Sequence, residues 1–181
     1  DVCSSDLMSD PITVRDVQGD LVIGLDDMRK YHGQDFDNGL SMALKACQLA
    51  FGALTGGRPP DRRRIRLVLA LSPPGILDGF EYITRAISDR RVVVDPACGR
   101  GPESYNGRYY FEIHYEGRKV ALWLRDGIVP DGYTLLAKRG FLGLLDEADM
   151  QRWRDGKQRI AETVMRLPAE QVFEMSAVEA A

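Results

Sequence analysis

One short segment concentrates the groups that could do chemistry: Tyr31-His32-Gly33-Gln34-Asp35-Phe36-Asp37-Asn38-Gly39. It sets a histidine and two carboxylates in a loop at the mouth of a long helical pattern. Histidine titrates near neutral pH, so His32 could serve as general acid or base. Asp35 could orient its ring or bind substrate, and Asp37 could supply a second titrating group. The plainer alternatives are that Asp37 only caps the helix and that His32 bonds only to backbone near Gly33.

A second candidate follows an apolar strand: Pro73-Pro74-Gly75-Ile76-Leu77-Asp78-Gly79-Phe80-Glu81. Asp78 and Glu81 lie three apart, on one face of the first turn of a helix. Both could act on the helix dipole alone, the reading favoured for Glu81; Asp78 is retained as a catalytic candidate. A third candidate, Ala97 to Gly107, lacks the Lys-Ser/Thr that a phosphate-binding P-loop requires, so a strand-connecting loop is expected. Cys98 within it could contact substrate, and would become a nucleophile only if a neighbour such as Arg100 lowered its pKa. Alternation over the following hairpin puts Tyr109, Phe111, Ile113 and Tyr115 on one face and Tyr110, Glu112 and His114 on the other. Tyr110 and His114 could therefore line a pocket, although an exposed sheet face would give the same pattern.

The elements that must position these residues are legible in the pattern. Gln18-Gly19 could turn a short hairpin over residues 12–23. Leu25 to Tyr31 reads as a helix ended by Gly33. From Asn38 to Leu54 the apolar residues fall at spacings of three and four, with Asp37 or Asn38 as cap and Gly56-Gly57 as stop. Arg62-Arg63-Arg64 is expected in a solvated loop. Ile65 to Leu71 reads as a strand buried on both faces. A helix is expected from about Ile76 to Ile87, then strands at Arg91–Asp95, Arg108–Tyr115 and Arg118–Arg125, the last two joined by Glu116-Gly117. Helices over Tyr133–Lys138 and Asp146–Leu167 complete the pattern. The order is helix, strand, helix, three strands and C-terminal helices, which predicts an α+β fold with a mixed β-sheet covered by helices.

Composition bounds the rest. The chain has 181 residues, 44% hydrophobic and 28% charged, with a formal net charge of −3. Asp1 to Leu7 matches the translation of a sequencing-adapter end, of the kind metagenomic assembly leaves, and Met8 reads as a start. The expected organisation is therefore a head at 1–7, one domain over 8–167 and a C-terminal tail over 168–181. Without that head the formal charge is −1 and only Cys47 and Cys98 remain. Two cysteines without a signal peptide point to a reducing, cytoplasmic setting with free thiols. Neither a nucleic-acid partner nor a membrane is expected, since there is no basic excess and no spanning apolar run.

Taken together, the His32 and Asp78 segments resemble the E-subunit family of formylmethanofuran dehydrogenase. Tyr31-His32-Gly33-Gln34 is similar to the start of that family's Phe-His-Gly-His-x-Cys-Pro-Gly signature, and Gly39 to Ala46 continues it after a one-residue insertion. Gly75-Ile76-Leu77-Asp78-Gly79, running to Thr84-Arg85-Ala86-Ile87, resembles its Cys-Gly-Val-Asp-Ala segment. Gly107-Arg108 and Gly117-Arg118-Lys119-Val120 are similar to its later glycine motifs. The resemblance covers residues 25–130 and implies an α+β fold that often forms a homodimer.

The metal-binding residues differ. Gln34 stands for the family's second histidine, Phe36 or Asp37 for its first cysteine, and Gly75 and Ala86 for later cysteines; the cysteine-rich zinc ribbon is absent. Without soft thiolates no tight metal site is expected, and no cofactor is certain. His32 with Asp35, Asp37 or Asp78 could hold a divalent metal weakly. Two functions follow as expectations. One is a small-molecule enzyme or ligand-binding protein using His32, Asp37 and Asp78. The other is a non-catalytic accessory or dimeric subunit linked to one-carbon metabolism, for which Phe141-Leu142-Gly143-Leu144-Leu145 would form an exposed apolar patch.

Overall fold

The structure, a computed structural model, describes residues 11–33 and 36–181. The head at 1–7 and the candidate Asp35 lie outside the described residues. The chain opens with a hairpin, β1 (Ile12–Asp16) and β2 (Gly19–Ile23), paired in register from Ile12↔Ile23 to Asp16↔Gly19. Helix α1 (Leu25–His32) ends at Gly33, whose φ of 64° is the left-handed conformation that stops helices there. Then come α2 (Asn38–Thr55), a 3-10 turn at Arg62–Arg64, β3 (Arg66–Leu69), α3 (Pro74–Thr84) and β4 (Val92–Val94). Two short strands, β5 (Glu103–Ser104) and β6 (Gly107–Arg108), precede the hairpin of β7 (Tyr110–Tyr115) and β8 (Arg118–Leu124). Its turn residues Glu116 and Gly117 both have positive φ, 51° and 71°, matching the twist of the flanking strands. Helices α4 (Tyr133–Phe141), α5 (Glu147–Arg166) and α6 (Ala169–Val172) follow, then β9 (Phe173–Met175) and β10 (Glu179–Ala180).

The main sheet runs β10-β8-β7-β3-β4, with β9 also paired to β8. Only β3 and β4 are parallel; the other pairs are antiparallel. One sheet face, carrying Leu67, Leu69, Phe111, Ile113, Val120 and Leu122, is buried in the core. Helix α2 packs against it and also against α3 and α5. Residues Gly39 to Cys47 are all buried, so the start of α2 has no solvent face. The mixed sheet with its helical cover is the α+β architecture expected from the element order.

Several details depart from expectation. Residues 168–181 are not a tail: Phe173 is buried, and β9 and β10 pair with β8, completing the sheet. Strand β3 is buried on one face only, with Val68 half-buried and Arg66 exposed. Arg62 is buried rather than solvated. Its guanidinium donates to the carbonyls of Tyr82 and Ile83 and pairs with Asp16 at 3.0 Å, satisfying the open end of α3. Helix α3 begins at Pro74, which puts Glu81 well past the first turn. Its carboxylate accepts from the amides of Ile87 and Ser88, shaping the turn after the helix.

The α2–α3 contact is glycine-to-glycine. A Cβ on Gly39 would stand 2.6 Å from the carbonyl carbon of Gly75, and one on Gly79 would stand 2.6 Å from the Ala43 Cβ. Gly52, later in α2, meets nothing within 4 Å. Urea unfolding should separate the two cases. Gly39→Ala is expected to lose about 1–3 kcal/mol through backbone overlap. Gly52→Ala is expected to gain about 0.5–1 kcal/mol by removing a mid-helix glycine.

Candidate functional site

Because α2 and α3 touch through glycine, their N-terminal ends meet beneath a cavity of about 280 Å³. Its floor is Asn38, Gly39 and Met42 of α2 together with Pro73 to Ile76 at the head of α3. Its walls are largely aromatic: Phe36, Tyr105 and Tyr109, Tyr133 and Phe141 of α4, and Trp153 of α5. Tyr105 and Phe141 stack with centroids 4.2 Å apart, and Phe141 meets Trp153 edge-on at 5.5 Å. Asp149, buried between α4 and α5, accepts from Arg139 at 2.7 Å and Arg152 at 3.0 Å, fixing the helix pair that forms one side.

His32 enters this cavity from the last turn of α1. Its side chain is only 3% exposed, and Nδ1 lies 2.6 Å from Asp78 Oδ2 on α3. Toward an ionised carboxylate, which can only accept, Nδ1 would be the donor and Nε2 the remaining nitrogen. The structure thus brings together two of the three catalytic candidates, from segments 46 residues apart. The third, Asp37, sits at the N-cap of α2 without a capping hydrogen bond; its carboxylate pairs with Arg29 at 2.6 Å.

Tyr110, His114 and Cys98 belong elsewhere. Tyr110 and His114 point to the sheet face opposite the helices and converge on Glu112, whose oxygens lie 2.9 Å from the Tyr110 hydroxyl and 2.9 Å from His114 Nε2. Lys119 adds an ion pair to Glu112 at 3.7 Å. Gly99 lies over the Tyr110 ring, where a Cβ would stand 2.2 Å away. Burial, with Asp95 and Glu112 nearby, pushes the Cys98 thiol upward. Arg100, the neighbour that could have lowered it, lies over the Trp123 ring at 4.0 Å. None of these three side chains lines the His32 cavity.

The most informative cavity residue was not singled out by sequence. Lys157 of α5 lies over two rings, Trp153 at 3.7 Å and Phe36 at 4.6 Å, and forms no ion pair among the described residues. Burial and the charge of Arg154 hold its ammonium below the usual lysine range. Trp153 Nε1 is shut off from solvent without a well-formed hydrogen bond, its approach to the Tyr133 hydroxyl falling short of one. Trp153 and Lys157 are four residues apart on a helix, a spacing that puts an indole and an amine on one face. That spacing was the available signal.

Among the described residues no three His, Cys, Asp or Glu side chains converge, and His32 has a single carboxylate partner. No helix among the described residues is long and apolar enough to cross a membrane.

The Glu112 cluster has a definite pH signature. Burial raises this carboxyl, but hydrogen bonds from His114 and Tyr110 and the charge of Lys119 outweigh it and hold it below the usual range. A lowered carboxylate stabilises the fold above its unfolded pKa of about 4.3, and that contribution disappears as pH falls through the lower folded value. Glu112→Gln is therefore expected to cost stability at pH 7 and progressively less towards pH 3. Unfolding midpoints across that range check it; a constant difference would contradict the ionic origin.

Comparison with known proteins gives little to set beside this geometry. No protein-family profile and no curated protein matches the chain. Among solved structures, a tungsten formylmethanofuran dehydrogenase FmdE-like protein from Syntrophus aciditrophicus is similar at 13% identity over 94% of this chain and 78% of that one, with a TM-score of 0.46. The likeness is one of distant fold.

Proposed function

We propose that this protein binds a small molecule in the aromatic cavity and moves a proton on it, with His32 as the acid–base group and Asp78 as its orienting partner. One observation carries the reading: an imidazole that forms part of the cavity wall is held at 2.6 Å by a carboxylate from another helix. With Nδ1 engaged, the Nε2 lone pair would accept a proton from a bound ligand. The resulting imidazolium would be stabilised by Asp78 and by the C-terminal end of α1, where helix carbonyls favour positive charge. Asp78 is itself 35% exposed in its side chain, so its charge stays partly solvated. The aromatic walls limit water around the transferring proton. Asp37 is paired with Arg29 and is not part of the cavity lining.

A fragment screen on isotope-labelled protein tests this reading. Binders are expected to move the Trp153 indole and His32 ring signals, and Ala137→Phe, which fills the cavity, is expected to abolish the response. Fragments that bind only elsewhere, or none that bind, would sink the proposal. The histidine pair makes its own prediction. Nitrogen-15 spectra should show His32 protonated on Nδ1, and Asp78→Ala should shift it toward the Nε2 form while costing about 1 kcal/mol.

A second reading, a non-catalytic accessory subunit or homodimer tied to one-carbon metabolism, has an observation of its own. Phe141, Leu142 and Leu144 are 48%, 62% and 61% exposed, with Leu135 nearby in sequence at 63%. Sedimentation of the wild type and of Leu142→Glu decides it: concentration-dependent association abolished by the charge favours this reading, and a monomer in both cases removes it.

A further inference from the structure

We propose that the cavity is selective for a small carboxylate with a planar apolar body, the anion held at Lys157 and the body lying against the rings of Phe36, Tyr105 and Trp153. The inference rests on the reading that this cavity binds a ligand, and goes further by naming its chemical class. Three independent features converge on negative charge. Lys157 is half-buried among rings, with no acidic partner among the described residues; ring faces compensate a cation only in part. The N-terminal ends of α2 and α3, both positive, are pressed together at Gly39 and Gly75 on the cavity floor. Neither helix has an acidic residue in its first turn or a side-chain cap: Asp37 at the head of α2 is drawn off to Arg29, and Pro73 at the head of α3 has no polar side chain to offer. A bound carboxylate would offset both dipoles and complete an ion pair with Lys157.

Shape points to the organic body. At about 280 Å³ the cavity lies just below the roughly 300–1,000 Å³ of drug-sized pockets, and its walls offer flat ring faces. An inorganic anion would satisfy the charges and leave the ring faces uncovered. A neutral aromatic would do the reverse.

Two matched pairs of probes separate these cases: benzoate against benzamide, and indole-3-acetate against indole-3-acetamide, titrated while the Trp153 indole signal is followed. The carboxylates are expected to bind about tenfold or more tightly than their amides, the usual margin for one charge-assisted contact. Lys157→Met, which keeps the apolar stem, should bring each pair to near-equal affinity, and Lys157→Arg should restore most of the preference. Lys30→Met, which removes an exposed lysine outside the cavity lining, should leave it intact. Equal binding of acid and amide to the wild type would overturn the carboxylate assignment while leaving a ligand-binding cavity in place. A preference that survives Lys157→Met, or that disappears in Lys30→Met, would overturn the role of Lys157. Binding of no probe at millimolar concentration would overturn this inference, whereas a fragment screen without cavity binders would overturn the proposed function as well.

Discussion

Helices α2 and α3 approach until their backbones touch, and most of the molecule's functional geometry depends on that approach. Gly39 against Gly75 and Gly79 against Ala43 leave no room for larger side chains. Close packing without side chains between brings dispersion contact along the backbone and fixes the crossing within narrow limits. Everything around the cavity takes its position from this crossing. Asp78, one residue before Gly79, is carried to α1 and His32, and the heads of both helices are carried to the cavity floor.

The same crossing sets an electrostatic problem. Two positive helix ends and a lysine line one small volume, while among the described residues the nearby acids already have partners: Asp37 with Arg29, Asp78 with His32, Asp149 with Arg139 and Arg152. The distribution of charge is therefore uneven on the scale of a single cavity, although the whole chain is close to neutral. On the opposite sheet face the arrangement is balanced. There Glu112 gathers Tyr110, His114 and Lys119 around one carboxylate, a self-contained network with no uncompensated group at its centre.

The periodic parts of this fold were legible from the residues. Alternation located the β7–β8 hairpin and its turn, and apolar spacing located α2, because both signals come from burial repeated over many residues. The pairing of His32 with Asp78 was also readable as two candidate segments, though only the fold could set them 2.6 Å apart. What escaped depended on single long-range contacts. Arg62 looked like part of a solvated basic run, since nothing local reveals the α3 carbonyls that bury it. The strands within residues 173–180 are too short to announce themselves, and form because β8 offers an unpaired edge. Lys157 was hidden in an amphipathic helix rich in arginine, where one more cation carries no distinguishing mark.

That late segment has a bearing on how the chain assembles. The β7–β8 hairpin can form from neighbouring residues as soon as they are available, but the outer edge of β8 pairs with Phe173–Met175 and Glu179–Ala180, roughly fifty residues further on. During synthesis a ribosome must therefore deliver α4, α5 and α6 while that edge still displays open amides and carbonyls, a template for pairing with another chain. Arg118 and Lys119, at the start of β8, put positive charge on the waiting strand. In the nascent protein those two residues would act as guards against mispairing, a duty that ends once β10 closes over them.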